Sequence, residues 1–313
     1  MIKHLKVALF LFLLSLPVFC FGVYQHGKKV HNLSRGNYFF SKTRESVDLN
    51  KILISFNDES YITFFKADDL WRIKEADDYY ASFSKINTLI DLIRNSVIYR
   101  ADIIKNEKGF KFDNFIKIQT YDSYDNVIDE AIIAKQNDKN KYHYATLNND
   151  NFLYQISTKI QLSSNIYNWL QMPIINLLPE DIKQVNFNKD IVYRKYKNSN
   201  FVNMETNYAT PEIHRILNNI RSISAEDIRH ASNFNRDNYS KVKHFVLTTF
   251  DGIIYKIDLY KGNNDFWINV ALDKKLITTP EAYKKVEENT ILYNGWFFKI
   301  NYDKGVILSK FVI

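Results

Sequence analysis

Two stretches of this chain are built on one plan, and that recurrence constrains the fold more than any single motif. DLWRIKEADDYYASFSKINTLIDLI (69–93) and SNFVNMETNYATPEIHRILNNIRSI (199–223) each run from a short strand through a polar turn into an amphipathic helix. Tyr80-Ala81-Ser82 matches Tyr208-Ala209-Thr210. Ile86, Leu89, Ile90 and Ile93 recur at i, i+3, i+4, i+7, as do Ile213, Ile216, Leu217 and Ile220, which is the apolar stripe of a surface helix packed on a core. Arg94 and Arg221 follow the last apolar position of each. Ser82 or Ser84 can cap the first helix, and Thr210-Pro211-Glu212 makes a strong start for the second.

The flanks match as well. The alternating runs KILISF (51–56), YITFF (61–65) and LWRIKE (70–75) precede the first helix, as KQVNFN (183–188), IVYRKY (191–196) and NFVNM (200–204) precede the second. Trp71 and Phe201 hold similar places, each an aromatic to seal helix against sheet. Downstream, FIKIQTYD (115–122) resembles FVLTTFD (245–251), and VIDEAIIAK (127–135) corresponds to IIYKIDLYK (253–261). YHYATL (142–147) pairs with FWINVAL (266–272), and FLYQIS (152–157) with WFFKIN (296–301). Asp251-Gly252 between alternating runs signals a hairpin. The second copy inserts a helix, TPEAYKKVEEN (279–289), with its own Thr-Pro-Glu start.

The expected fold class is therefore α+β: two tandem related units, each an antiparallel meander with one stripe-bearing helix packed on it. The expected division is a signal or anchor segment at 1–24, a basic linker at 25–49, a first unit at 50–164, a connector at 165–182 and a second unit at 183–313. In the connector, Trp169, Leu170, Ile174, Leu177 and Leu178 are expected to pack a seam between units, while Pro173 and Pro179 rule out one continuous helix.

The leader MIKHLKVALFLFLLSLPVFCFGVY has a basic start (Lys3, Lys6) and an apolar or small stretch from Val7 to Tyr24. That is long for a signal h-region and close to the lower limit of a membrane span. Cys20 and Gly22 make a poor cleavage site, and Phe19 stands where a lipoprotein signal needs a small residue. An uncleaved anchor is the preferred reading, a cleaved signal peptide the next. The basic N-terminus favours export of the body, although Lys28, Lys29 and Arg35 follow on the other side. Cys20 is the single cysteine, so the body has no disulfide, no thiolate zinc site and no thiol nucleophile.

The chain holds 8 Gly, where average usage would give roughly 22. No G-x-G-x-x-G or G-x-x-x-x-G-K-[ST] is present, which excludes an ATPase role for this chain. Net charge is +7, and the most basic window holds Lys183, Lys189, Arg194, Lys195 and Lys197 against Asp190. It reads as a solvated strand pair or as a patch for anionic lipid or acidic envelope polymer, and nucleic acid is not an expected partner.

Of the histidines, His143, His214, His230 and His244 lie in the body. Glu226 or Asp227 with His230 would share a helix face suited to a metal, but no second His stands at the spacing such a site needs. Asp68-Asp69, Asp77-Asp78, Asp122–Asp129 and Asn148–Asn151 fall where turns are expected, and DSYDNVIDE lacks the central Gly of a calcium loop. No Ser has a nucleophile-elbow setting. The expectation is no catalytic, cofactor or metal site, with any ligand site undefined. The 21 Tyr and 23 Phe, at period-two spacing, read first as core and cross-strand partners and second as a ligand surface.

LWRIKE, YYAS and NWLQMPIINLLPEDIKQV (168–185) together resemble the membrane-anchored bacterial family carrying domain of unknown function 4340, over residues 50–235. The family's tyrosine-proline-alanine element has Tyr80 at the proline place here. The resemblance implies a single-pass protein of the bacterial cytoplasmic membrane with a periplasmic body, serving an ABC-type export or gliding-related system, with a transporter permease as partner. It carries over no catalytic residue. The expected function is thus a non-enzymatic, membrane-tethered accessory or scaffold protein, binding partners by strand addition at long sheet edges. The alternatives are an exported enzyme acting on envelope polymer and an extracytoplasmic ligand-binding or sensor module.

Overall fold

The computed structural model describes residues 36–103, 112–134, 143–157, 160–187, 190–206 and 212–310. The leader, residues 25–35 and Tyr208-Ala209-Thr210 lie outside them. The class is α+β, with two antiparallel sheets and a few helices. Among the described residues no helix is long and apolar enough to cross a membrane.

The chain divides into two compact units, Met1–Lys66 with Ser84–Ser164, and Ala67–Phe83 with Asn165–Ile313. The expected break at 164/165 therefore needs one correction: seventeen residues from the first repeat, Ala67–Phe83, belong to the second unit. Their contacts explain why, as shown below.

The first sheet contains β1 (Lys51–Phe56), β2 (Tyr61–Ala67), β3 (Leu70–Ile73), β4 (Tyr79–Tyr80), β5 (Ile98–Ile103), β6 (Phe115–Tyr121), β7 (Val127–Ala134), β8 (His143–Leu147) and β9 (Phe152–Ile156). Their order is β4-β3-β2-β1-β6-β7-β8-β9-β5. The second sheet contains β10 (Ile182–Phe187), β11 (Asp190–Tyr193), β12 (Val202–Asn203), β13 (Ala225–His230), β14 (Ser240–Thr249), β15 (Ile254–Lys261), β16 (Phe266–Asp273) and β17 (Trp296–Ile300). Its order is β12-β11-β10-β14-β15-β16-β17-β13. Exchanging β1–β3 for β10–β12, β5 for β13 and β6–β9 for β14–β17 turns one order into the other, leaving β4 without a counterpart.

The agreement extends to register. β5 meets β9 as Ile98↔Ile156, Arg100↔Gln155, Ala101↔Tyr154, Asp102↔Leu153 and Ile103↔Phe152. β13 meets β17 as Ala225↔Ile300, Asp227↔Lys299, Ile228↔Phe298, Arg229↔Phe297 and His230↔Trp296. Each ladder slips by one residue at the same step, a bulge at Tyr99 and at Glu226. The next strand follows suit: Ala145 faces Tyr154 and Ile133, as Ile268 faces Phe298 and Leu259.

Helices α2 (Phe83–Arg94) and α3 (Glu212–Arg221) occupy the expected stretches. Ile86, Leu89 and Ile93 are buried with Ile90 half-buried, and Ile213, Ile216, Leu217 and Ile220 are all buried. The inserted helix, α4 (Pro280–Tyr293), is capped by the Thr279 hydroxyl, which accepts from Ala282 N. A further helix, α5 (Tyr302–Lys310), follows β17. The turn expectations hold in backbone terms: Asp68, Asp69, Asp77, Asp78, Asn148 and Asn149 all have positive φ, which Asp and Asn tolerate best after Gly.

The expected linker is corrected from residue 36 onward. Residues 41–45 form a short helix, α1 (Ser41–Glu45), and Phe39 and Phe40 are fully buried. A buried polar ring anchors this segment to the first sheet. Asp129 N–H donates to Thr120 Oγ1 at 3.2 Å, Thr120 and Thr43 hydroxyls meet at 2.6 Å, and Thr43 Oγ1 donates to Asp129 Oδ2 at 2.8 Å. Thr43 N and Asn148 Nδ2 add donors to the same carboxylate. An inaccessible carboxylate is tolerated only when so satisfied. Replacing Thr43 with the isosteric valine should cost about 1–3 kcal/mol, read as a lower urea midpoint; an unchanged midpoint contradicts the ring.

The connector is not one continuous helix, as Pro173 and Pro179 require. It forms two short 3-10 turns, Ile166–Trp169 and Pro179–Asp181, separated by a cis Met172–Pro173 bond. Trp169, Leu170, Ile174, Ile175 and Leu177 are buried, whereas Leu178 is exposed. Their hydrogen bonds lie within the second unit: Ile174 N donates to Ile223 O and Tyr293 Oη to Ile174 O.

Candidate functional site

Ala67–Phe83 enters the second unit through Tyr79, which is 1% exposed. Its ring stands edge-on to Trp296 at 5.0 Å and to Phe298 at 5.6 Å, an arrangement aromatic quadrupoles favour. Its hydroxyl donates to Leu292 O at 3.2 Å, and burial raises its pKa well above the ordinary tyrosine range. The strand edge holds the rest of the segment. Asp77 accepts from His230 N and from Asn233 Nδ2, each at 2.6 Å. Ser82 N donates to Trp169 O, and Ala81 bridges Leu170. Tyr80-Ala81-Ser82, a matching element in sequence, is thus the flank of this contact, and Tyr79 is its centre.

The first unit has the same socket, assembled from the register partners. Phe152 stands where Trp296 stands, Tyr154 where Phe298 does, Ala101 for Ile228 and Ile98 for Ala225. The entering segments correspond too: Phe39 N donates to Ser96 O as Ile174 N donates to Ile223 O, each two residues before the aligned pair. Phe39 reaches Tyr154 edge-on at 5.4 Å. Beside it remains a cavity of about 600 Å³, lined by Ile98, Ala101, Leu147, Phe152, Tyr154 and Phe39, with Gly36, Asn37, Tyr38, Ser41, Arg44 and Glu45 at its rim. The volume is within the range of a built ligand pocket.

The socket floor is held by Tyr154 Oη, which donates to Asp150 Oδ2 at 2.5 Å. Burial, then this carboxylate, raise the Tyr154 pKa, and burial raises that of Asp150. At the rim the Arg44 guanidinium lies 3.5 Å above the Tyr38 ring. Its Nη1 donates to Arg94 O and Asn95 Oδ1, and Nη2 and Nε make no hydrogen bond to a described residue.

A second cavity, of about 680 Å³, borders the β15–β16 turn in the second unit, with Asn238, Tyr239, Asn263, Asn264, Asp265 and Lys299 on its walls. Two of its polar groups, Asp265 and Tyr239, are committed to the wall itself. Asp265 Oδ2 accepts from Trp267 Nε1 at 2.9 Å and from Tyr239 Oη at 3.4 Å. Tyr239 stacks on Phe234, which in turn stacks on Phe297 at 3.9 Å, so this groove edges a buried aromatic cluster.

The residues singled out in sequence for metal chemistry are dispersed. Glu226, Asp227 and His230 lie on strand β13 rather than a helix, because the stretch pairs with β17. Asp227 bonds Arg229, and the His230 ring packs on Trp296 at 5.0 Å. His143 is a core residue between Ala134 O at Nδ1 and Ile160 N at Nε2, which assigns the proton to Nδ1. His214 is exposed beside Phe201, and His244 Nδ1 meets Asp258 at 2.5 Å across β14 and β15. Asp122 accepts from Tyr124 N and Asn126, bonds that lower its pKa and close the hairpin turn of DSYDNVIDE. Among the described residues no three His, Cys, Asp or Glu converge on a metal-sized point.

The basic window loses its strongest member. Arg194 is 3% exposed, donates to the carbonyls of Ile182 and Pro179, and lies over Phe201. Desolvation lowers its pKa. Lys197 pairs with Asp181 at 2.8 Å. Lys183 and Lys195 remain exposed, and Lys189 is outside the described residues.

The long open edges expected for strand addition are absent among the described strands. β4 and β12 are two residues long. β5 and β13 each carry the bulge and an ion pair, Arg100–Asp102 at 2.9 Å and Asp227–Arg229 at 3.0 Å, and such features blunt an edge. No family model, no curated protein and no solved structure matches the chain.

Proposed function

We propose that this chain is a non-enzymatic accessory protein of the bacterial envelope, tethered to the cytoplasmic membrane by residues 1–24 and built from one duplicated α+β unit. The observation that carries this reading is the pair of register-equivalent sockets, one filled by Tyr79 and one left open by the described residues. A duplicated fold that keeps such a feature twice supports a docking role, and the blunted edges favour docking in the socket over strand addition. The resemblance to the family with domain of unknown function 4340 supports service to an ABC-type transporter, with the permease as partner and the body in the periplasm.

The reading is tested by fractionating cells that express the full chain and adding protease to spheroplasts. The body should sediment with membranes and be digested from outside, and deleting residues 1–24 should release it. A body recovered in the cytosol, or one protected in intact spheroplasts, contradicts the proposal.

A further inference from the structure

We infer that the socket of the first unit, open among the described residues, is a docking site for an acidic, aromatic-led polypeptide segment of a partner protein, of the kind that Ala67–Phe83 supplies to the second unit. The inference rests on the binding role proposed above and names the partner's chemistry.

The second unit is the template. There the occupant offers a tyrosine to Trp296 and Phe298, a carboxylate from Asp77 to the N–H of His230, and small residues Ala81 and Ser82 along the backbone. Register places Phe152, Tyr154 and Ile103 at the same three points in the first unit. The floor is aromatic, so it favours an aromatic side chain entering edge-on. Ile103, the last described residue of β5, stands in register with His230, and the same register turns its N–H outward. The rim adds a cation beside Glu45: Arg44, stacked over Tyr38, makes its hydrogen bonds to described residues through Nη1 alone, so Nη2 and Nε are complementary to a carboxylate preceding the aromatic residue. An aliphatic ligand would leave both the guanidinium and the edge N–H unanswered, so the peptide is favoured over a lipid chain.

The probe is a synthetic peptide of residues 67–83, added to the intact protein and followed by calorimetry. It should bind once per chain in the micromolar range, as short segments in preformed grooves do. The Phe152→Ala protein should bind it about tenfold or more weakly, as should the wild-type protein a peptide with Tyr79→Ser. The Asp77→Asn peptide and the Arg44→Gln protein should each lose several-fold, and not additively. The peptide variants leave the protein untouched, so loss of folding cannot mimic the result. No binding, equal binding of the Tyr79→Ser peptide, or binding unaffected by Phe152→Ala overturns the inference. Octanoate binding as well as the peptide does, and being displaced by it, overturns the peptide assignment in favour of an acyl ligand. A failed titration with correct membrane topology would remove the site and leave the accessory reading standing.

Discussion

Replacing Gly252 with alanine should cost about 3–5 kcal/mol or prevent folding of the second unit. Gly252 has φ +86°, where an L residue is strained, and a Cβ there would lie 1.9 Å from Leu276 O and 2.4 Å from Leu276 C. Both obstacles are backbone, so no rotamer change relieves them. The residue closes the β14–β15 turn, with Gly252 N donating to Thr249 O and Thr249 N to Ile253 O. Either that turn or the segment leading into α4 must move. Gly36 is the internal control: its φ is +84°, but no described residue lies within 4 Å of an added Cβ. Gly36→Ala should therefore cost only the backbone strain, about 1 kcal/mol. Urea unfolding separates the two, and equal midpoints for both variants would show that the approach of Leu276 is not tight.

Tyr79→Ala should destabilise the second unit by about 3–5 kcal/mol, the range for emptying a buried aromatic site. Tyr79→Phe should lose about 1 kcal/mol, because the ring contacts to Trp296 and Phe298 survive while Leu292 O loses its donor. Hydrogen exchange locates the damage. Amides of β13 and β17 should lose protection in Tyr79→Ala, while those of β1 and β6 keep theirs. Loss confined to β1 and β6 would return Ala67–Phe83 to the first unit and undo the assignment of the socket.

Local periodicity made much of this fold legible. The stripes of α2 and α3 and the alternation of β1, β6, β7, β14 and β15 come straight from their residues, because each buries one face. Strands β5 and β13 escaped the same reading for a physical reason. Their bulges break the period of two, so that only Ile98 and Ala101 of IYRADI and Ala225 and Ile228 of AEDIRH are buried, and charged residues fill the outer positions. That miss also turned Glu226 and His230 into a false helical pair. Residues 36–49 looked like a linker because Phe39 and Phe40 sit among charges without any repeat, and only the polar ring through Asp129 reveals why they are packed. The site was the least legible part. Tyr79 finds its acceptor 213 residues away, a pairing that no local pattern encodes. The signal that could have found it was the alternation across the β3–β4 hairpin, where Ile73 opposes Tyr79 and both face inward.

Capture of a partner segment by the first-unit socket is open to direct test. The most direct test places a photo-crosslinking amino acid at Phe152 in the full chain, in membranes, with the exposed turn residue Tyr124 as control position. Adducts from position 152 should map to an acidic, aromatic-led segment of one membrane protein and vanish when the peptide of residues 67–83 is added. Adducts that persist with the peptide present, or that form equally from position 124, would contradict it.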